Sequence, residues 1–309
     1  MKIGFFGTPE LGAFCLEELH KHHEVLFAVT PPDKPSGRNK QIVPCPVKRK
    51  AADLDIPLLQ PDKLVAEDFA SANADIFVVA AYGKLIPKSV FSLPKFGTVN
   101  LHPSLLPKYR GAAPIPWALI NGEKETGLTI QMINERLDAG DIVLQKTLRL
   151  NDTINAGELY SAVLQEGAAL LLDAIQVLGE GKASLIKQNE DEATFCKKIT
   201  KETRQINWQA SAEEIHNLVR GLSPTPAALT MFRGGEIKIL RTAIADIAIG
   251  EEQASGRLLV SEKKRLIAVA GKSSSSLLEI LELQPAGKKP MTAAAFINGY
   301  RLNPNDKFV

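Results

Sequence analysis

The chain has 309 residues, 45% hydrophobic and 23% charged, which gives ample material for a packed core and no long segment polar enough for disorder. A net charge of +2 excludes a uniformly basic nucleic-acid binder, so any such role must come from local clusters. The opening residues Met1 to Gly7 hold too short an apolar run for a signal peptide. No other stretch approaches the roughly twenty apolar residues of a membrane span, and the expected location is cytoplasmic.

The length exceeds that of one ordinary domain and predicts two. Lys2 to Phe6 reads as a buried strand, followed by the turn Gly7-Thr8-Pro9 and a helix with Leu11, Phe14, Leu16 and Leu19 on one side. Glu24 to Thr30, Asp75 to Ala81, Thr98 to Leu101 and Leu128 to Ile133 read as further strands separated by helical segments. This alternation predicts an α/β fold with a mostly parallel sheet. After a helix from about Ala156 to Leu178, Gly179 to Lys182 stops helical periodicity, and Asn189 to Glu192 reads as a solvated turn near a domain boundary. Ala212 to Leu222 is helical. Short strands then follow at Ile237 to Leu240, Gly256 to Val260, Leu266 to Ala270 and Leu277 to Leu283, with a closing helix from Thr292 to Tyr300. Strands without intervening helices predict a small β-barrel. Cys15, Cys45 and Cys196 are far apart and odd in number, which fits reduced structural residues rather than disulfides or metal ligands.

Asn100-Leu101-His102-Pro103 ends an apparent parallel strand, the edge where open α/β sheets bind ligands. Strand alternation puts Asn100 and His102 on one face, and Pro103 removes the donor that would continue the strand. An amide donor beside an imidazole, with no nucleophilic triad evident, suits direct attack on a carbonyl by an external nucleophile. Asp138, in the turn Leu137-Asp138-Ala139-Gly140-Asp141, is a candidate to orient His102 directly or through water. Singly, each has a plain alternative as turn former, core histidine or cap. The arrangement needs no metal.

Asn100-x-His102-Pro103-Ser104 followed by Asp138-x-Gly140-Asp141 resembles the active-site pattern of the folate-dependent formyltransferases. The run from Ser104 to Ile115 is similar to the branch of that family that formylates charged initiator tRNA. The resemblance implies a Rossmann-like formyltransferase domain over residues 1–185, a linker over 186–205 and an OB-like tRNA-binding barrel over 206–309. It implies 10-formyltetrahydrofolate as formyl donor, with Ser104, Leu105, Leu106 and Pro107 lining the folate site and Asn100, His102 and Asp138 carrying the transfer. A monomer is expected. One departure is Pro116, where the family commonly has a polar residue; proline is tolerated in a helix's first turn.

Pro31 to Lys50 contains Lys34, Arg38, Lys40, Lys48, Arg49 and Lys50 against the single acid Asp33, and reads as a long surface loop. Its segment Pro32 to Arg38 is similar to the insertion that the tRNA-specific branch presses against the acceptor stem. By that resemblance Arg38 is the leading tRNA contact, with Lys40 and Lys34 beside it. Lys197, Lys198, Lys201 and Arg204 flank the linker, and further lysines and arginines lie along the barrel. Gly4, Gly7 and Gly12 lack dinucleotide-fold spacing, and His20, His22 and His23 lack a shared helix side for a metal. The competing functions are formylation of a small amine such as a glycinamide ribonucleotide or amino sugar nucleotide, non-catalytic RNA binding, and NAD-dependent redox chemistry.

Overall fold

Ile3, Phe5 and Phe6 of β1 (Lys2–Gly7) have no exposed surface, as expected of a strand covered on both faces of a parallel sheet. The computed structural model describes residues 1–33, 35–36, 41–246, 253–261, 264–272 and 276–309. The chain divides into two units: Met1–Gly111, Thr126–Arg149 and Ser161–Cys196 form the first, and Ala112–Glu125, Leu150–Tyr160 and Lys197–Val309 the second.

β1 is followed by α1 (Glu10–His22), β2 (Glu24–Val29), the short pair β3 (Pro35–Ser36) and β4 (Gln41–Ile42), α2 (Pro46–Asp53) and β5 (Leu58–Leu59). Then come α3 (Glu67–Ala70), β6 (Ile76–Ala80), α4 (Lys88–Phe91), β7 (Thr98–His102), β8 (Arg110–Gly111), α5 (Pro114–Ile120), β9 (Glu125–Met132), β10 (Ile142–Arg149), α6 (Ala156–Gly179) and β11 (Phe195–Cys196). The main sheet has the order β10-β9-β7-β6-β1-β2-β5. β1, β2, β5, β6 and β7 pair in parallel. β9, which contains the strand predicted at Leu128, runs antiparallel to β7. The segment between them holds α5, which clusters with the second unit.

One face of the sheet carries the rings of Phe6, Phe27, Phe69 and Phe77, with centroids between 5.3 and 6.4 Å apart. Gly4 lies beneath them: a Cβ there would stand 2.4 Å from Phe27 Cζ.

α6 corrects one expectation. Its 24 residues are long and apolar enough, by length and composition, to cross a membrane. Val163, Leu170, Leu171, Ala174 and Ile175 are buried, and a Cβ on Gly167 would meet Leu101 Cδ2 of β7 at 2.9 Å. The apolarity serves a buried helix side, and a window count does not distinguish that from a lipid-facing span.

The second unit continues with α7 (Ala212–Leu222), β12 (Ala228–Phe232), β13 (Gly235–Ile244), β14 (Leu258–Val260), β15 (Leu266–Ala270), β16 (Ser276–Pro285), β17 (Met291–Thr292) and α8 (Ala293–Tyr300). Its sheet is antiparallel, ordered β12-β13-β16-β15-β14, with β17 on β16. α7 starts at a capping box in which Ser211 and Glu214 satisfy each other's backbone donors. The carboxy-terminal residues close the barrel. Phe308 bridges Phe232 on one edge strand, and Lys307 bridges Arg257 beside the other. Phe308 is 1% exposed, stacks on Trp208 at 5.3 Å and meets Phe232 edge-on at 5.9 Å. His216 of α7 sits between Thr242 Oγ1 at 2.9 Å and the Asp152 carbonyl at 2.8 Å.

Phe308→Ala removes the ring that joins the two edges, and an aromatic-to-alanine core change costs about 3–5 kcal/mol. Trp117 and Trp208 both belong to this unit, so urea unfolding followed by tryptophan fluorescence reads it. The midpoint should fall; an unchanged midpoint would mean the tail does not close the barrel.

Candidate active site

β7 ends at the carboxy edge of the parallel strands, with Val79 beside Asn100 in β6. On its other side Asn100 faces Gln131 and His102 faces Thr129 of β9, so all four side chains share one face of the sheet. Beyond Pro103 the chain folds into a pinned loop. Thr129 Oγ1 donates to Ser104 O at 2.7 Å and accepts from Leu106 N at 3.2 Å, while Gln145 Nε2 donates to Leu106 O at 2.8 Å. Ser104 has no exposed surface and spends its hydroxyl on Lys108 O at 2.6 Å, and Leu106 is buried; Leu105 and Pro107 keep partial exposure.

His102 is nearly buried. Its Nε2 lies 2.9 Å from Tyr109 O, and since a carbonyl only accepts, Nε2 carries the hydrogen. Nδ1 is left facing Asp138 Oδ1 at 3.7 Å, too far for a direct hydrogen bond. The Asp138 carboxylate is held from two sides: Oδ2 accepts from Gly111 N at 2.8 Å and Oδ1 from Gln131 Nε2 at 3.1 Å. Asp138 itself has φ +47°, and its turn requires Gly140, where a Cβ would stand 1.6 Å from Met132 O. Asn100 is half-buried, and its carboxamide makes no hydrogen bond among the described residues. The predicted trio therefore gathers on one face, with an uncommitted amide, an imidazole of defined tautomer and a fixed carboxylate.

Arg110, 1% exposed, donates through Nε and Nη2 to Gln188 Oε1 at 3.0 and 2.7 Å. Through Nη1 and Nη2 it grips both Glu190 oxygens, at 3.1 and 3.0 Å, and Arg136 also contacts Glu190. The acidic turn read as merely solvated thus supplies a buried cation with its counter-charge. Gln131, Arg110, Gln188 and Glu190 were missed as site-supporting residues. Gln131 is placed opposite Asn100 only by the antiparallel register of β9, and Gln188 and Glu190 have no local signal.

Lys34, Arg38 and Lys40 lie outside the described residues. Of the other basic residues in that stretch, Lys48 pairs with Asp33 at 2.5 Å and Lys50 with Glu17 at 2.8 Å. Cys15 is buried, which pushes its thiol up to about 12, and Cys196 Sγ approaches Tyr109 O at 3.4 Å. Among the described residues no group of three or more histidine, cysteine, aspartate or glutamate side chains is placed to hold a metal.

Hydrogen bonds from Arg110 and then Arg136 hold the Glu190 carboxyl down to about 2, against an ordinary 4.5. A carboxyl lowered on folding adds stability above its unfolded value, and that gain is lost as pH falls through the folded one. Acid unfolding should accordingly show a loss of stability from about pH 4.5 toward pH 2 that is missing in Glu190→Gln. Superimposable acid profiles of the two proteins would contradict the pairing.

The family description "Formyl transferase" matches residues 1–175, and "Formyl transferase, C-terminal domain" matches 198–301. A methionyl-tRNA formyltransferase of Dictyoglomus turgidum is 41% identical over 313 aligned positions, covering 100% of this chain and 99% of that protein. One of Thermodesulfovibrio yellowstonii is 42% identical, covering 97% and 96%. Among solved structures, an N-formyltransferase from Helicobacter canadensis has a TM-score of 0.67 at 19% identity, over 92% of this chain and 99% of that one, a likeness of fold. With both modules matched and such relatives aligned from end to end, this chain belongs to the formyl transferase family of enzymes, in its methionyl-tRNA formyltransferase branch.

Proposed function

We propose that the enzyme transfers the formyl group of 10-formyltetrahydrofolate to the α-amino group of methionyl initiator tRNA, giving N-formylmethionyl-tRNA for translation initiation. The observation that carries this reading is the convergence of Asn100, His102 and Asp138 on one sheet edge. End-to-end relatives of that name support the acceptor.

Asn100 offers its unused amide hydrogens to the oxyanion that forms when the amine attacks the formyl carbon. His102 works through Nδ1, because Nε2–H is engaged by Tyr109 O. Nδ1 takes the proton released by the attacking amine, and the Asp138 carboxylate 3.7 Å away faces the charge that results. The proton passes on to the departing N10, directly or through a water held by Asp138, so the side chains end as they began. Leu105 and Pro107 supply the loop surface for the folate, while Ser104 and Leu106 shape that loop from within. Arg38, with Lys34 and Lys40, contacts the acceptor stem, and the basic barrel follows the tRNA backbone. No step calls on a metal. The enzyme acts in the cytoplasm as a monomer.

Purified protein given charged initiator tRNA and 10-formyltetrahydrofolate should produce formylmethionyl-tRNA. Asn100→Ala, His102→Ala and Asp138→Ala should each lower kcat by roughly 10²–10³, and Arg38→Ala should raise KM for the tRNA with little change in kcat. Wild-type rates in all three site variants would refute the assignment. Unchanged tRNA kinetics in Arg38→Ala would move the acceptor toward a small amine.

A further inference from the structure

Residues 176–197 lie between the two family matches, yet they return to the site. Ile186 exchanges backbone hydrogen bonds with Ile142 at 2.8 and 3.0 Å, just beyond the Asp138 turn. Eight residues later Thr194 receives Tyr109 N on its Oγ1 at 2.8 Å and Arg110 N on its carbonyl at 2.9 Å. β11 then pairs in parallel with β8, Cys196 opposite Gly111, the residue whose amide holds Asp138. The segment is thus anchored to both loops that flank the imidazole.

Between those anchors stands Gln188, whose carboxamide is fully committed. The two hydrogens of its Nε2 serve three acceptors, Gly140 O at 2.7 Å, Asp138 O at 2.9 Å and, at the longest distance, Gln131 Oε1 at 3.2 Å, so one is shared. Its Oε1 accepts both bonds from the buried Arg110. The amide has one possible orientation: guanidinium nitrogens only donate and backbone carbonyls only accept, so oxygen must face Arg110 and nitrogen the turn. Gln131 in turn uses its Oε1 for Gly140 N at 3.2 Å and its Nε2 for the Asp138 carboxylate.

We propose that Gln188 is a positioning residue that fixes the height of the Asp138 carboxylate beside His102, and that the segment from Ile186 to Cys196 serves as a strap holding the two active-site loops at a set separation. The proposal rests on the formyl-transfer reading for its kinetic consequence, though not for its structural one. Removing Gln188 frees the Asp138 and Gly140 carbonyls, leaves the Gln131 amide without its brace and lets the carboxylate move. Substrate-binding surfaces stay as they are, so the loss falls on kcat rather than KM.

The test compares Gln188→Ala, Gln188→Glu, Asp138→Ala and Asp138→Ala/Gln188→Ala in the full-length enzyme. Gln188→Ala should lower kcat about 10- to 100-fold, the usual cost of losing a supporting hydrogen bond at a site, with KM for both substrates nearly unchanged. Gln188→Glu keeps an acceptor for Arg110 but turns an oxygen toward the two carbonyls, and should be at least as slow. The double variant should be no slower than Asp138→Ala alone, because the brace has nothing left to position. A multiplicative loss in the double variant, or a rise in KM with kcat retained, would overturn the proposal.

Amide hydrogen exchange supplies a reading that needs no substrate. Exchange at Gly111 and Gly140 should quicken roughly tenfold or more in both Gln188 variants while the β1 amides keep their wild-type rates. Unchanged exchange at Gly111 and Gly140 would overturn the strap even if turnover fell. Should the wild-type enzyme transfer no formyl group to charged tRNA, the acceptor reading fails and the exchange result alone decides the strap.

Discussion

A guanidinium removed from water dictates much of the geometry around the site. Arg110 is 1% exposed, and an unpaired charge at that depth would cost several kcal/mol. Its partners are Gln188 and Glu190, some eighty positions further on, so the chain leaving α6 must return to β8 to meet them. The bidentate fork to Glu190 and the pair of bonds to Gln188 also fix the orientation of that returning segment. The same return delivers Thr194 and Cys196 to the backbone of Tyr109, Arg110 and Gly111. One buried cation thereby couples the loop beside His102 to the turn that carries Asp138.

The imidazole is fixed by the same neighbourhood. Tyr109 O receives His102 Nε2–H and faces the thiol of Cys196, so both of its lone-pair directions have a donor. Tyr109 has φ +60°, a conformation that turns its carbonyl out of any continued strand and is held by Thr194 at its amide. The buried Cys196 thiol thus has a specific contact. It completes the coordination of the carbonyl that sets the histidine tautomer.

How much of this was legible from sequence depended on range. The buried strands at Ile3, Ile76 and Val99 and the helix from Ala212 to Leu222 follow from local periodicity, and the structure has them there. That Asn100 and His102 share a face follows from alternation along one strand. The approach of Asp138 to His102 does not, because it depends on β9 returning antiparallel with Gln131 opposite Asn100. Glu190 lies in a turn whose composition signals solvent, and its charge acquires its partners Arg110 and Arg136 only through the fold. The sequence points to the helix at Thr292 to Tyr300 as the closing element, whereas the edges are bridged by the last residues, which are too few to show a period. The apolarity of α6 misleads in the other direction, since a composition window carries no information about which side faces the sheet.

Hydrogen-bond satisfaction separates the polar groups that hold the proposed site from those it leaves available. On the site's face of the sheet Thr129 uses its hydroxyl as both donor and acceptor, and Gln131 and Gln188 use both ends of their amides. Buried polar groups are normally paired in this way. The exceptions are the Asn100 carboxamide, without a bond among the described residues, and His102 Nδ1, 3.7 Å from the nearest carboxylate oxygen. Each sits beside neighbours whose own bonds hold them rigid, so the polarity left unspent is already aimed before substrate arrives. Preorganised donors avoid the reorganisation that water would need as the oxyanion forms. On the proposed mechanism the pairing around the trio has a kinetic purpose: among the described residues of the site it leaves these two groups available to the reaction.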